Sequence, residues 1–405
     1  MIEARGTGAF VDGLRRAWDD GDAVLPLDPR LPAAARDRVL AAARPAEPVE
    51  EGDALVVATS GTSGEPKAVV LTHAAVAASA RATSARLVVD PATDRWLACL
   101  PLAHVGGLSV VTRALLTGTP LTVHDGFDAA AVAAAARPRA GEEGWDDPAG
   151  SESRHDPARP ERPHGPATLV SLVPTALRRV DPAAFRWVVL GGSAMPPDLP
   201  PNVVTTYGMT ETGSGVVYDG TPLEGVEVRV VAGEVQLRGP MLLRAYRDGA
   251  DPRDGAGWLP TGDAGAWDAA ARRLTVFGRT GDLVITGGEN VWPVAVEGVL
   301  DRHRAVAEVA VVGRPDPEWG QRLVALVVPA DRAAPPTLDA VRAAVKAELP
   351  AYAAPRELVL VDALPRTPLG KVARGGLPGL LPPPDAVVTR TSRAGRRRRP
   401  RASGR

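Results

Sequence analysis

The chain has 405 residues, 45% of them apolar, with 47 Lys and Arg against 48 Asp and Glu, which is enough for a large core in two domains. The even charge argues against nucleic acid as a main partner, and the one cysteine, Cys99, rules out an internal disulfide and suits a reducing compartment. "MIEARGTGAF" lacks a signal-peptide layout and no apolar run is long enough to span a membrane, so the expectation is a cytoplasmic protein with no stable membrane anchor.

Residues 1 to 50 are rich in Ala, Arg and Pro and predict one helix, from Ala9 to Asp19, without evident chemistry. "ALVVATS" reads as a short buried strand entering "TSGTSGEPKAV", Thr59 to Val69. Glycines interleaved with hydroxyl residues can turn N–H and O–H groups toward one point, as phosphate-binding loops do. The spacing is not G-x-x-x-x-G-K-[ST], because Glu65 and Pro66 separate the last glycine from the lysine. Thr72 is placed to cap a helix from His73 to about Leu87, giving an expected order of strand, loop and helix N-terminus. Lysine occurs only at Lys67, Lys346 and Lys371, and all other cations are arginine. A lysine kept against that bias points to a need for a compact, flexible ammonium.

"DRWLACLPLAHVGGLSVVTRALLTGTPLTVH" continues as strand, loop, helix and strand, the alternation of an α/β domain with functional loops at strand ends. Residues 137 to 166 are charged, proline-rich and nearly free of aliphatic side chains, so they predict a disordered insertion. Order is expected again at "ATLVSLVPTALRRV" and the strand "RWVVLGGSAMP". A second break near "GRTGDLVITGGENVWP" precedes a compact β/α unit containing the helix "TLDAVRAAVKAEL". The last twenty residues hold eight arginines and no acid, a solvated tail. The expected organisation is an N-terminal domain over 1–280, a C-terminal lid over 281–376 and a disordered basic tail over 377–405.

Five segments, taken in order, resemble the acyl-adenylate-forming superfamily of CoA ligases, luciferases and peptide-synthetase adenylation domains. They are "TSGTSGEPKAV", "TYGMTETGSG", "GWLPTGD", "GRTGDLVITGGENVWP" and "PRTPLGK". The resemblance implies an α/β fold with a large N-terminal adenylate-forming domain and a small mobile C-terminal α+β domain. It implies ATP and Mg²⁺ as cofactors and coenzyme A as co-substrate. Thr59, Ser60, Gly61, Thr62, Ser63, Gly64 and Lys67 would then hold the β- and γ-phosphates. Thr210 would meet the α-phosphate and Glu211 would bind Mg²⁺, a hard cation suited to oxygen. Tyr207 and Gly208 would lie by adenine, Asp263 would accept the ribose hydroxyls with two oxygens, and Arg279 would assist. Lys371 would neutralise charge as the acid attacks phosphorus. The hinge position, acidic or lysine in many relatives, is Gly281 here, which leaves rotation free but removes the usual hinge contacts.

The acid-binding side is expected in "PLAHVGGLSVVTR" and "LGGSAMP". The PL-x-H-x-x-GL pattern and the short region before the phosphate loop look most like the o-succinylbenzoate:CoA ligases of menaquinone biosynthesis. Their substrate has a second, aromatic carboxylate, for which His104 and Arg113 are candidate contacts. Gly106, Gly107, Gly191 and Gly192 would let a flat ring approach the backbone, or are ordinary turn glycines. The alternatives are another aryl- or short-acyl-CoA ligase, an adenylation domain serving a carrier protein, and a non-catalytic nucleotide-binding relative. The last would be expected to have lost Lys371, Glu211 or Asp263, and all three are present. The partners expected are the small carboxylic acid, ATP and CoA, with a homo-oligomer left open.

Overall fold

Short apolar runs bounded by glycine and proline are long enough for strands but not for helices, and in the first half of the chain they pair into one sheet. The computed structural model describes residues 1–60, 66–137, 165–192, 195, 198–366 and 372–383. It divides into two units, Met1–Phe277 and Gly278–Arg405, where the sequence suggested a break after residue 280. Of the insertion expected over 137–166, residues 138–164 lie outside the described residues, as do Lys371 and the tail from residue 384. The start of the tail expected over 377–405 is instead packed, with Leu377 buried in the turn Arg374–Leu380. Among those described, no helix is long and apolar enough to cross a membrane.

The central sheet of the first unit has seven strands. Leu121–Val123, Trp96–Ala98, Leu169–Leu172, Trp187–Leu190 and Val203–Gly208 run parallel in that spatial order. The antiparallel pair Gly215–Tyr218 and Thr221–Pro222 completes one edge. In such sheets the loops leaving the carboxyl ends of the parallel strands form the ligand crevice. Those loops begin at Cys99, His124, Val173, Gly191 and Met209, and three of them carry the segments singled out above.

Two helices cover this sheet's core. His73–Leu87 starts as expected, with the Thr72 hydroxyl accepting the Ala75 N–H at 3.1 Å, a cap that satisfies one orphan donor. Val105–Thr117 packs against it and buries Leu108, Val110, Val111 and Ala114. Glycine at 107 is obligatory here, since a Cβ would lie 2.4 Å from the Leu100 carbonyl oxygen and 2.6 Å from that of Pro101.

At the opposite, amino ends of the strands, Asp94 ties the sheet to the end of the 73–87 helix. It accepts from Arg186 Nε and the Thr168 hydroxyl, each at 2.8 Å, while Arg186 also donates to the carbonyls of Leu87 and Val88. Burial alone would raise the Asp94 pKa, but the Arg186 bonds, the Asp90 N–H and Thr168 hold it below the ordinary 3.8.

Apart from the short parallel pair Ile2–Glu3 and Pro26–Leu27, the remaining sheets of the unit are antiparallel, one of four strands, Glu227–Val231, Glu234–Arg238, Leu259–Asp268 and Arg273–Arg279, and one of three. The latter consists of Asp53–Ser60, Pro66–Thr72 and Ala245–Tyr246. Here the structure corrects the sequence reading. The loop after Ser60 leads into the strand Pro66–Thr72, not directly into a helix N-terminus. The apolar run Ala68–Leu71 is wholly buried and pairs with residues 55–58 before Thr72 can start the helix. The N-terminal region also holds a second helix, Ala33–Ala43, that its flat Ala/Arg pattern did not suggest.

In the second unit, Val306–Asp316 and Gly320–Pro329 form a long hairpin joined by Val284–Thr286, Glu289–Val291 and Glu357–Leu360. Helices Pro293–Leu300 and Leu338–Glu348 contribute Val296, Leu300, Val341 and Val345 to its core. Gly281 lies in the turn Thr280–Asp282, where a Cβ would meet nothing within 4 Å, so local packing does not require glycine there.

Candidate active site

The two ends of the phosphate segment are paired, Thr59 facing Lys67 and Ser60 facing Pro66 across an antiparallel ladder. Gly61, Thr62, Ser63 and Gly64 lie outside the described residues. Lys67 is exposed, and its Nζ sits 4.5 Å from the centroid of the Tyr246 ring.

Thr210 and Glu211 occupy the short turn Thr210–Thr212 after the strand Val203–Gly208. Thr212 fixes that turn, its hydroxyl accepting the Met209 N–H at 2.9 Å and donating to the Ser214 carbonyl at 2.6 Å. Gly213, at φ +67°, closes it. Gly208 is packed so tightly that a Cβ would stand 2.2 Å from the Ser214 oxygen. Glu211 is thus presented at a strand's carboxyl end and accepts a 3.0 Å hydrogen bond from the Tyr246 hydroxyl. Burial and the neighbouring Glu211 charge push the Tyr246 pKa well up, so the phenol stays a donor.

Asp263 lies in an irregularity of the strand Leu259–Asp268. Pairing with the neighbouring strand jumps from Gln236–Pro260 to Glu234–Ala264, which leaves residues 261–263 as a bulge, and Gly262 takes φ +70°. Bulges re-aim side chains beside active sites. Asp263 accepts from the Tyr207 hydroxyl at 2.8 Å, and its N–H donates to the Thr261 hydroxyl, which in turn donates to the Val235 carbonyl. The structure therefore joins Tyr207 to Asp263 and, through Tyr246, Lys67 to Glu211. Arg279, in the second unit, ends the strand Arg273–Arg279 and precedes the turn Thr280–Asp282.

On the acid side, His104 is the N-cap residue of the 105–117 helix, with its carbonyl accepting from Gly107 and Leu108. At nearby Asp28, burial would raise the pKa, but the hydrogen bonds and charge of Arg30 outweigh it and bring it down, with a smaller electrostatic contribution from His104. Arg113, in the third turn of the same helix, is only 2% exposed. Its Nη2 donates to Ser214 Oγ at 3.1 Å and its guanidinium lies 4.8 Å from the Trp96 ring centroid. Among the described residues, Nε and Nη1 have no hydrogen-bond partner. The side chain lines a small, mostly apolar cavity with Leu71, Val76, Leu108, Met241, Ser79 and Thr112. Burial pushes its pKa down, though an arginine in a protein remains charged. A buried cation with two unmet donors calls for an anion. Gly191 and Gly192 follow the strand Trp187–Leu190. A Cβ on Gly191 would lie 2.6 Å from Thr206 Oγ1 and Gly192 has φ +90°, so both glycines already have a reason in the fold.

Sequence reasoning missed Tyr246, Ser214 and Trp96. A usable signal existed in scarcity, because the chain has only four tyrosines, two of which donate to the predicted site carboxylates. For magnesium, no cluster of three or more His, Cys, Asp or Glu is found among the described residues. Mg²⁺ needs only one or two carboxylates alongside substrate phosphates, and the Glu211 carboxylate fits that requirement.

The family models for the AMP-binding enzyme and the AMP-binding enzyme C-terminal domain match residues 15–140 and 295–371. A Mycobacterium tuberculosis relative named "Probable 2-succinylbenzoate--CoA ligase" is 39% identical over 393 residues, covering 92% of this chain and 94% of the relative. The o-succinylbenzoate CoA synthetase of Bacillus subtilis, solved with its acyl-adenylate intermediate, aligns with a TM-score of 0.66 at 26% identity, covering 90% of this chain and 80% of that one. The same synthetase solved with ATP and a magnesium ion gives 0.67 at 26% identity, with 92% and 82% covered. With both family models matched in chain order and a relative aligned over nearly its whole length, the chain belongs to the AMP-binding enzyme family.

Proposed function

We propose that the protein is an ATP-dependent acid–thiol ligase that converts o-succinylbenzoate to its CoA thioester through an acyl-adenylate, in menaquinone biosynthesis. In the first step a carboxylate oxygen of the succinyl arm attacks the α-phosphorus and pyrophosphate leaves. In the second the CoA thiol, giving up its proton, attacks the acyl carbon and AMP leaves. The 59–67 hairpin holds the β- and γ-phosphates, Thr210 meets the α-phosphate, and Tyr207, Gly208, Asp263 and Arg279 hold the adenosine. Glu211 supplies the carboxylate for Mg²⁺, whose charge offsets that of the phosphates. Lys371, outside the described residues, neutralises the charge that gathers as the carboxylate meets the phosphate.

The observation that carries the choice of acid is Arg113, a buried guanidinium with two unmet donors on the helix that His104 begins. It suits a substrate with a second carboxylate that must be bound and left unreacted. Gly107, Gly191 and Gly192, which the fold itself already accounts for, would also leave room for its ring beside the backbone. Localisation in the cytoplasm is part of the same reading, and the absence of a membrane-crossing helix among the described residues is compatible with it.

A panel of acids read by pyrophosphate release and thioester formation tests the assignment. o-Succinylbenzoate should be the preferred acid by a wide margin. A protein that prefers benzoate or a plain fatty acid would contradict the choice of acid while leaving the ligase reading in place. Lys371→Ala should suppress adenylation by about a hundredfold or more, the scale of losing a charge-stabilising group. Thioester formation from supplied acyl-adenylate should suffer far less, and equal damage to both steps would contradict the role given to Lys371.

A further inference from the structure

Tyr246 stands between two residues of the nucleotide site and is fixed by the backbone on every side. The strand Ala245–Tyr246 lies antiparallel on Pro66–Thr72, with Tyr246 opposite Val69. Arg247 N–H donates to the Ala68 carbonyl at 2.8 Å and Arg244 N–H to that of Val70 at 2.9 Å, while Leu243 N–H reaches the Glu211 carbonyl at 2.7 Å. The flanking side chains are pinned as well. Arg244 grips the buried Asp53 with Nε and Nη2, and Arg247 Nη2 donates to the carbonyls of Glu47 and Pro48. From this held position one phenol does two things. Its hydroxyl donates to Glu211 Oε1 at 3.0 Å, and its ring face lies 4.5 Å from Lys67 Nζ.

We propose that Tyr246 is a positioning residue that sets the Glu211 carboxylate for the divalent cation and carries the Lys67 ammonium on its ring, so that one side chain aligns the cation site with the phosphate site. This rests on the reading of Glu211 and Lys67 given above. A carboxylate has about four lone-pair sites. One phenol donor fixes its rotamer and leaves the other oxygen for the cation. Hydrogen-bond partners behind a metal-ligating carboxylate are typically worth about 10- to 100-fold in metal affinity. The ring face is worth less, about 0.5–1 kcal/mol at an exposed site or a few-fold in affinity, but it limits where a flexible lysine points.

The test is calorimetric and needs no turnover. ATP affinity is measured in Mg²⁺ and again in EDTA, without carboxylic acid, and AMP affinity is measured in EDTA. Tyr246→Phe keeps the ring and loses one oxygen. It should cut the gain in ATP affinity that Mg²⁺ brings by about tenfold, with AMP affinity and ATP affinity in EDTA unchanged. Tyr246→Leu should in addition weaken ATP a few-fold in EDTA, because Lys67 loses its platform. Glu211→Gln should abolish the Mg²⁺ gain. A Mg²⁺ gain equal in wild type and Tyr246→Phe overturns the proposal alone. A parallel loss of AMP and Mg²⁺·ATP affinity also overturns it, since that marks a scaffold residue. A gain that survives Glu211→Gln removes the reading of Glu211 on which the proposal stands.

Discussion

The two sides of the site proposed in the first unit are prepared in opposite ways. On the nucleotide side the key groups hold one another: Tyr207 bonds Asp263, Tyr246 bonds Glu211, and Lys67 rests on Tyr246. On the acid side Arg113 is buried with two donors unmet. The first arrangement is satisfied before any ligand arrives and fixes geometry in advance. The second leaves a charge in deficit, costly to the empty protein and selective for whatever anion removes the cost. A site built to pair a polar group rejects analogues lacking it far more strongly than an apolar pocket rejects an extra methylene.

This contrast is most easily broken on the nucleotide side. Asp263→Ala removes the proposed ribose acceptor, and two hydrogen bonds to a charged group at about 1.5–3 kcal/mol each predict an ATP KM raised by about a hundredfold or more. The ratio of rates between o-succinylbenzoate and other acids should not move. A changed acid preference, measured by steady-state kinetics, would show that the two sides are not separate.

On the acid side, Gly107→Ala should destabilise by about 2–3 kcal/mol in denaturant unfolding, because overpacking into backbone has little room to relax. A wild-type midpoint would mean that the 105–117 helix can shift freely. His104→Ala should cost roughly 1.5–3 kcal/mol with o-succinylbenzoate and much less with an analogue lacking the ring carboxylate. Equal loss with both acids would reduce His104 to packing the loop.

The smallest effect is expected at the amino ends of the strands, away from both sides. Asp94→Asn should lower stability by about 1–2 kcal/mol, discounted because Arg186 is 39% exposed, with substrate KM values unchanged. The Asp94 pKa is depressed on folding, so its contribution is complete above the ordinary value of 3.8 and is lost as pH falls through the lower folded value. The gap in Tm between wild type and variant should therefore close on acidification below about 3.8. A gap that persists there would show that the charge on Asp94 is not the cause. Cys99, buried with its thiol pushed up to about 12 by burial, should resist thiol reagents at neutral pH until the protein unfolds.

What was legible in the sequence follows from how local each signal is. The 73–87 helix could be read because Thr72 caps it within three residues. The parallel strands could be read because each is a short apolar run ending at a glycine- or proline-bearing loop. The hairpin strand Pro66–Thr72 escaped because its partner lies across the loop and burial on both faces erases alternation. Asp263 was marked by "TGD", but a turn former and a bulge residue look alike until the register with Glu234–Arg238 is known. Tyr246 was invisible because its importance comes from contacts with Glu211 and Lys67, 35 residues away in one case. Arg113 was named as a candidate cation, yet its burial depends on Trp96 and Ser214 closing over it, which no local pattern records.

The central claim is that the unmet donors of Arg113 recognise the second carboxylate, and kcat/KM for o-succinylbenzoate against 4-oxo-4-phenylbutanoate, which lacks the ring carboxylate, tests it in wild type and Arg113→Met. Wild type should favour o-succinylbenzoate by about a hundredfold, the scale of one or two charge-assisted hydrogen bonds. Arg113→Met should erase most of that preference while the ligand-free protein melts no lower, because a buried unpaired charge has been replaced by an apolar side chain of similar length. A variant that loses both acids equally, or that keeps the wild-type preference, would contradict the account.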